Sequence, residues 1–347
     1  MQNAAQNNTD NDTGKNTEKN PSAPLEQLAA LLEDEMKAVN ALILQHMQSG
    51  IPVIPELAGH LIAAGGKRVR PLLAVAAADM LGYRGEKHHK LAASVEFIHT
   101  ATLLHDDVVD DSDRRRGKAS AHTVFGNEAA VLVGDFLFSR AFQLMVEIGS
   151  LDILRVLADA SATISEGEVL QLTTKNNIAA GEENYMKVIR AKTAELFAAA
   201  CEAGGMAAGG TAEQCAALRC YGENLGIAFQ MIDDLLDYRD ADAALGKNTG
   251  DDFREGKMTL PLLLALAEAD AEEKAFWQRT CGDLKQQDGD FETACAIMAR
   301  HGIFEKGLEK AAAYGRAAQQ AIAPFAEETR IYPLLHALID FVLARRH

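Results

Sequence analysis

The stretch VEFIHTATLLHDDVVD, residues 95–110, is an apolar segment of helical character that ends in a cluster of aspartates. The same spacing of acids recurs as DDLLD at 233–237, directly after the apolar segment IAFQMI at 227–232. In each cluster the first and third acids are four residues apart, so they project from one face of a helix. Like charges at that spacing weaken a helix, which suggests that a cation lies between the carboxylates.

A solvated acidic face is the simplest alternative for a single cluster of this kind. The chain is acidic in any case, with 50 Asp and Glu against 34 Lys and Arg and a formal net charge of −16. Apolar flanks are unusual for a solvated face, however, and two copies favour two walls of one metal-binding cavity. Carboxylate oxygens suit Mg²⁺, which usually binds through one or two carboxylates together with substrate phosphates.

The rest of the chain predicts an all-α fold. The alanine-rich runs 191–200, 207–217 and 311–323 repeat at helical spacing, and alternating strands with Asn-Gly turns are hard to find. Residues 1–24 are rich in Asn, Thr, Asp, Lys and Gln and lack apolar periodicity, so we expect a disordered polar tail. Since no Gly/Ser-rich or Pro-rich linker follows, residues 25–347 are predicted to form one domain of more than ten helices around one core.

Several classes of protein are disfavoured by composition. The sequence contains neither the apolar stretch of a signal peptide nor a run of about 18 uncharged apolar residues, so we expect no transmembrane segment. A strongly negative body argues against a nucleic-acid partner. The cysteines are odd in number and form no CxxC pair, which predicts reduced thiols in a cytoplasmic protein; they are Cys201, Cys215, Cys220, Cys281 and Cys295.

Two basic segments are candidates for anion binding. GGKRVRP, residues 65–71, places Lys67 and Arg70 beside a predicted helix start. Arg115 and Arg116 follow the first acidic cluster, and guanidinium groups match phosphate with two parallel hydrogen bonds. A basic surface turn remains an equally simple interpretation of the first segment.

Further polar residues share the faces of the two acidic clusters. His99 precedes Asp106 by seven residues, close to two helical turns, and Gln230 precedes Asp233 by three. A histidine satisfied within the core is the usual alternative for His99, but its register with two acids favours a role in the site.

Lysines complete the set of candidates. Lys192 and Thr193 lie among small and apolar neighbours, where a buried lysine needs an anionic partner. Lys247 and Lys257 belong to the glycine-punctuated segment 245–257, which follows the second acidic cluster. Such a loop often does no more than connect helices, but here it is better placed to cover phosphates.

The ligand that best fits this inventory is a diphosphate bridged to the protein by Mg²⁺, with a second diphosphate bound by cations alone. The sequence contains no P-loop, no nucleophile with an adjacent base and no dinucleotide-binding fingerprint. These residues predict metal-assisted departure of diphosphate, with an apolar pocket that shields the carbocation left behind.

With those residues assembled, the chain closely resembles the trans-polyprenyl diphosphate synthases over everything that follows the tail. The resemblance rests on motifs that occur in the family's order: GGKRVRP (65–71), LLHDDVVDDSDRRRGKASAH (103–122), VLVGDFLFSRAF (131–142), EGEVLQL (166–172), KT (192–193), FQMIDDLLDY (229–238) and GKNTGDDFREGK (246–257). It implies an isoprenoid-synthase-type helical bundle around a deep central cavity, acting as a homodimer.

The resemblance also implies a role for each matching residue. Isopentenyl diphosphate would be held by Lys67, Arg70, His99 and Arg116. Three Mg²⁺ ions per site would be bound by Asp106, Asp110, Asp233 and Asp237, with Asp107 and Asp234 as weaker candidates because they lie about 100° off those stripes. The allylic diphosphate, for which farnesyl diphosphate is the expected starter, would be held by Arg115, Lys192, Thr193, Gln230, Lys247 and Lys257. Asp106, Asp110, Lys192, Asp233 and Asp237 would be the catalytic residues.

The implied reaction is ionisation of the allylic C–O bond, attack by the alkene of isopentenyl diphosphate, and proton loss, after which the product re-enters as substrate. The small Ala101 and Thr102, where short-chain members carry bulky residues, predict an open tunnel and a long product suited to quinone side chains. Its floor could lie among Phe136, Phe138 and Phe142 or in the turn at 151–157.

Two alternatives stay open at this stage. A class I terpene synthase shares the ionisation but takes one diphosphate, so the second set of cations speaks against it. A non-catalytic subunit that binds prenyl diphosphate typically loses carboxylates, and this chain keeps them all. An apolar product also suggests brief contact with a membrane.

Overall fold

The computed structural model describes residues 23–63, 66–115, 118–239, 250–326 and 329–345. Within these ranges the chain is helical apart from one short hairpin, which confirms the predicted all-α class. Most of the predicted polar tail (1–22), Arg116 and Lys247 lie outside the described residues.

Helices α1 to α17 follow one another along the chain. They span, in order, Ala23–Leu31, Glu33–His46, Val53–Ala63, Val69–Met80, Lys87–Val109, Ala121–Phe125, Asn127–Ile148, Leu151–Thr174, Gly181–Ile189, Glu195–Ala207, Ala212–Asp237, Asp251–Glu255, Leu260–Glu268, Ala271–Trp277, Asp290–Arg300, Ile303–Ala321 and Tyr332–Leu343. Single π-helical turns occupy Arg190–Ala194 and Gln278–Gly282, and Ala323–Phe325 is a 3₁₀ turn. Strands β1 (Arg114–Arg115) and β2 (Lys118–Ala119) pair antiparallel.

The buried side chains form two clusters that α11 joins. The first surrounds α4, α5, α7 and α10 and includes Phe97, Phe197 and Tyr221. The second lies among α13 to α16 and includes Trp277. Leu225 of α11 belongs to the first cluster and its Leu235 to the second, so this helix runs through the whole bundle.

Small residues let α10 and α11 approach closely. A Cβ atom on Gly222 would lie 2.4 Å from the carbonyl oxygen of Phe197, and one on Gly226 would lie 2.6 Å from the Cα of Ala194. Any side chain at these positions would force the helices apart. The close approach sets the π-turn that carries Lys192 against the end of α11.

Both aspartate clusters lie at the C-terminal ends of their helices. Helix α5 ends at Val109 with Asp110 as its C-cap, and α11 ends at Asp237. A carboxylate in the last turn opposes the helix dipole and costs about 0.3–1 kcal/mol. These acids therefore weaken the helices that carry them, which points to a ligand rather than to helix stability.

Helix α7 is the one helix in the described ranges that is long and apolar enough to cross a membrane by length and composition. It packs along α5, and its Leu137, Ala141 and Leu144 are completely buried in the first cluster. It carries Asp135 and Arg140 in its middle. These features are those of a core helix in a helical bundle.

Candidate active site

A cavity of about 470 Å³ lies between the ends of α5 and α11 and is closed by α8, α9 and the segment 252–259. Most of the predicted site residues line it: Arg70, His99, Asp106, Asp110, Arg115, Lys192, Thr193, Gln230, Asp233, Asp234 and Lys257. Lys67, Asp107 and Asp237 are not part of the lining. The two acidic clusters, 127 positions apart in sequence (residues 106 and 233), thus face one space.

Lys192 connects the first acidic wall to α8. Its Nζ lies 2.6 Å from Glu168 Oε2 and 3.4 Å from Asp106 Oδ2, and it donates a hydrogen bond of 2.8 Å to Gln171 Oε1. Burial lowers the pKa of Lys192, but the charges of Asp106 and Glu168 outweigh it and raise the pKa, so the amine is cationic. The expectation that this buried lysine has an anionic partner is confirmed.

Lys257 contacts the first wall although it follows the second acidic cluster in the chain. Its Nζ lies 3.5 Å from Asp110 Oδ2 and 2.9 Å from Glu255 Oε2. Burial opposes its charge, but Asp252, Asp110 and Glu255 raise its pKa, so it too is cationic. Because Lys257 follows α12, the segment after the second cluster reaches across to the first.

The second wall is anchored by a buried chain of hydrogen bonds. Tyr185 of α9 donates to Asp234 Oδ2 over 2.7 Å, and Gln230 Nε2 donates to Asp234 Oδ1 over 2.7 Å. Thr193 in turn donates to Gln230 Oε1 over 2.8 Å. Asp234 is only 4 % exposed, so Tyr185 and Gln230 rather than water determine the position of its carboxylate.

Burial raises the pKa of several carboxyl groups around the cavity. The pKa of Asp234 rises to about 7, and that of Glu168 rises to about 7 because the nearby charge of Asp106 adds to burial. Burial also raises the pKa of Asp106, Asp237 and Asp252. The charge of Lys192 lowers the pKa of Asp106, and a hydrogen bond from the backbone N–H of Asp252 lowers that of Asp237, but burial outweighs both. The protein's own cations therefore do not balance the negative charge of the carboxyl groups in this cavity. An excess of carboxylate charge favours the binding of hard divalent ions.

The observed donor set fits such an ion. Carboxylates from both acidic clusters face the cavity, and Glu168 Oε1 is buried without a hydrogen-bond partner among the described residues. Oxygen-rich sites of this type prefer Mg²⁺, Ca²⁺ or Mn²⁺ over Zn²⁺.

Asp107 turns away from the cavity and fixes an arginine. It is 1 % exposed, and its two carboxylate oxygens accept hydrogen bonds of 2.8 and 2.9 Å from Arg115 Nε. Asp107 therefore orients the Arg115 guanidinium toward the cavity that Arg115 lines. This geometry agrees with the prediction from helix geometry that Asp107 lies off the stripe of Asp106 and Asp110.

A second group of cations lies on the α4 side of the cavity. Arg70 Nη1 is 3.2 Å from His99 Nε2, and the Arg70 guanidinium lies over the ring of Phe197 at 4.3 Å. The Lys67 amine lies over the ring of Phe341 at 5.6 Å. Arg70 and His99 belong to α4 and α5, whereas Lys192 belongs to the π-turn after α9 and Lys257 follows α12.

Sequence reasoning missed four contributors. Arg345 after α17 places Nη2 2.8 Å from Asp233 Oδ1 and stacks over Phe229 at 4.7 Å. Tyr185 and Asp252 also line the cavity, and Glu168 holds Lys192. Glu168 lies in the quoted motif EGEVLQL and Asp252 in GKNTGDDFREGK, so both could have been found, whereas Arg345 and Tyr185 carry no local signal.

Comparison with known proteins adds an independent line of evidence. Residues 51–298 match the family model described as polyprenyl synthetase. The octaprenyl diphosphate synthase of Escherichia coli (strain K12) is 53% identical over 249 residues, which is 72% of this chain and 77% of that protein.

Two solved structures are similar along nearly their whole length. A polyprenyl synthase from Caulobacter crescentus CB15, complexed with calcium and isoprenyl diphosphate, is 52% identical with a TM-score of 0.89, covering 93% of this chain and 98% of that one. A decaprenyl diphosphate synthase from Rhodobacter capsulatus is 51% identical with a TM-score of 0.89, covering 93% of this chain and 100% of that one.

Proposed function

The chain belongs to the polyprenyl synthetase family, and we infer from this membership and from the site that it is a long-chain trans-polyprenyl diphosphate synthase. It condenses isopentenyl diphosphate repeatedly with an allylic diphosphate, and farnesyl diphosphate is the expected starter. The observation that carries this proposal is the pairing of two carboxylate walls across one cavity, with a separate Arg70–His99 group beside them.

Mg²⁺ is the metal that we propose for the two walls, with three ions per site. Asp106 and Asp110 supply ligands from α5, and Asp233 and Asp237 supply them from α11. Support comes from the raised pKa of the carboxyl groups on both walls and from the calcium in the Caulobacter crescentus structure. The ions, when bound, neutralise the diphosphate leaving group.

The protein's own cations divide the two substrates between them. Arg115, Lys192 and Lys257 lie at the carboxylate walls, where they neutralise the allylic diphosphate as charge develops on it. We assign Thr193, Gln230 and Lys247 to the same group. Arg70 and His99, with Lys67 and Arg116, bind isopentenyl diphosphate on the α4 side.

Apolar side chains next to these charges protect the carbocation. Leu103, Val188, Ile189 and Phe229 line the cavity together with the charged groups. They exclude water from the allylic carbon, so the alkene of isopentenyl diphosphate attacks it instead. The proton lost after attack passes to the released diphosphate.

Octaprenyl diphosphate is the proposed product, and quinone side-chain synthesis is its proposed use. The small side chain of Thr102 at the cavity wall and the identity to the Escherichia coli octaprenyl diphosphate synthase support a long product. The Rhodobacter capsulatus decaprenyl diphosphate synthase is nearly as similar, so the length itself has to be measured.

We propose a homodimer that pairs through α7. Leu132 and Val146 on this helix are each 66 % exposed, and Leu151 at the start of α8 is 78 % exposed. Val131 and Phe142 of α7 are exposed as well, and further exposed apolar residues on neighbouring helices are Val109, Val124, Val169 and Leu172. A surface this apolar favours a second copy of the chain. Sedimentation of Leu132→Arg should show a shift toward monomer.

We also propose a domain organisation and a cellular location for the protein. We propose that residues 25–347 form one catalytic domain after a polar tail of residues 1–24, of which Ala23 and Pro24 already belong to α1. Helix α1 packs on α17 and so joins the ends of the described chain. The protein acts in the cytoplasm and contacts the membrane only briefly, to release its product.

The reaction class is tested by the dependence of diphosphate release on isopentenyl diphosphate. With Mg²⁺ and farnesyl diphosphate alone, we expect release at background level, and addition of isopentenyl diphosphate should start it. Rapid release from farnesyl diphosphate alone, with formation of a hydrocarbon, would identify a cyclase instead.

Tyr185→Phe should weaken, but not abolish, Mg²⁺ binding at the second acidic wall. The change removes a hydrogen bond to a buried carboxyl, which contributes about 1.5–3 kcal/mol, so the apparent Mg²⁺ affinity should fall by about tenfold or more. Initial rates over a Mg²⁺ titration measure this effect. Tyr314→Phe, a partly buried tyrosine on α16, is the matched control and should leave the Mg²⁺ dependence unchanged. Equal Mg²⁺ dependence in both variants would contradict the role of Tyr185.

A further inference from the structure

A cluster of metal-ligating side chains lies outside the active site, where α2 meets the start of α5. Glu35 belongs to the first turn of α2, and His88 and His89 belong to the first turn of α5. His88 Nε2 lies 3.0 Å from Glu35 Oε2, and His89 Nε2 contacts the same oxygen. The ligand atoms of all three residues lie within 4.8 Å of one another.

The cluster is largely buried but reaches solvent on one side. His88 is 5 % exposed and His89 is 15 % exposed, whereas Glu35 is 38 % exposed and leaves the cluster open to solvent on one side. Burial lowers the pKa of His88, and the adjacent His89 lowers it further. Burial alone would raise the pKa of Glu35, but hydrogen bonds from both histidines outweigh it and lower the pKa.

We propose that Glu35, His88 and His89 bind one Zn²⁺ ion that joins α2 to α5. Two imidazole nitrogens and one carboxylate oxygen form a set that suits Zn²⁺ and leaves a fourth position for water. Ligand atoms of a tetrahedral zinc site lie roughly 3.3 Å apart. The three ligand atoms, all within 4.8 Å of one another, are already near this spacing.

The site is separate from the active site and differs from it in chemistry. Asp106 lies eighteen residues after His88 on the same helix, about 27 Å along its axis. The carboxylate walls prefer Mg²⁺, whereas a site with two histidines prefers Zn²⁺. The ion would therefore join α2 to α5 far from the reacting groups.

One feature of His88 sets the strength of binding. Its Nδ1 is buried without a hydrogen-bond partner among the described residues. An acceptor behind a metal-bound histidine typically contributes 10–100-fold in affinity. The site should therefore bind Zn²⁺ about 10–100-fold more weakly than one in which both histidines are supported.

The test compares Zn²⁺ binding by variants of the untagged, full-length, chelator-treated protein in excess Mg²⁺, which occupies the carboxylate walls. We expect the wild type to bind one Zn²⁺ equivalent that His89→Gln and Glu35→Gln both lack, by calorimetric titration. Co²⁺ in place of Zn²⁺ should give the visible absorption of nitrogen ligation in the wild type alone. Zn²⁺ should raise the melting temperature of the wild type by a few degrees.

A matched control exists within the chain. His301 Nε2 lies 3.0 Å from Glu273 Oε2, in a pair of the same kind that lacks a second histidine. His301→Gln should bind Zn²⁺ like the wild type. Circular dichroism establishes that each variant is folded. If either His89→Gln or Glu35→Gln does not fold, the other carries the test. Equal Zn²⁺ stoichiometry and equal melting shifts in the wild type and a folded cluster variant would overturn the proposal and leave a hydrogen-bonded cluster only.

Discussion

Asp106→Ala is expected to lower kcat by about 10³-fold or more, equivalent to ~4 kcal/mol of lost transition-state stabilisation. Asp106 lines the cavity, and its carboxylate lies 3.4 Å from the Lys192 amine. Its removal leaves Asp110 as the one remaining aspartate of the first cluster that lines the cavity among the described residues. Initial rates with saturating isopentenyl diphosphate, farnesyl diphosphate and Mg²⁺ measure the loss. Asp233→Ala should have an effect of similar size from the opposite wall.

The same substitution should not unfold the protein. Lys192 keeps Glu168 and Gln171 as partners, and one of several mutually repelling acids is gone. The melting temperature of the metal-free protein should therefore be unchanged or higher. Asp159→Ala removes an exposed acid from α8 and is the matched control, with wild-type turnover expected. Full activity in Asp106→Ala would rule out the two-wall arrangement for diphosphate binding.

Thr102→Phe is expected to shorten the product by several isoprene units. Thr102 lies one turn before Asp106 and lines the cavity, with its hydroxyl donating to the carbonyl of His99 over 2.8 Å. A phenyl ring there would project beneath the carboxylate wall, in the path of a growing chain. Sizing of the dephosphorylated products by chromatography measures the change.

The neighbouring position offers a clear contrast. Ala101 is completely buried in the first core cluster and does not line the cavity. Ala101→Phe should therefore overpack the core and lower stability by about 1–3 kcal/mol, although small side chains at both positions suggested an open tunnel from sequence. Thr102→Ser keeps the cavity open and should give wild-type products. A wild-type product length in folded Thr102→Phe would show that the chain does not pass this residue.

Residues that share one helix were predictable from spacing alone. His99 precedes Asp106 by seven positions and Asp106 precedes Asp110 by four, which places them on one stripe, and all three line the cavity. The offset of Asp107 followed from the same geometry. Helical periodicity fixes which side chains share a face, so no tertiary information was needed.

Contacts between distant segments could not be read from spacing. Arg345 pairs with Asp233, and Tyr185 donates to Asp234, because α17 and α9 pack against the end of α11. Neither residue has a neighbouring pattern that marks it, since the packing that brings it to the site depends on the whole bundle. The aromatic residues at 136–142 were candidates for the tunnel floor from sequence. Phe136 and Phe138 pack against the core, and neither lines the cavity.

The most direct test of the central claim is the length of the product made from farnesyl diphosphate, labelled isopentenyl diphosphate and Mg²⁺. The products are dephosphorylated and sized against all-trans polyprenyl alcohols. We expect label in a series of lengthening chains that ends mainly at octaprenol. Products no longer than geranylgeraniol, or consumption of farnesyl diphosphate without incorporation of label, would contradict the assignment as a long-chain synthase.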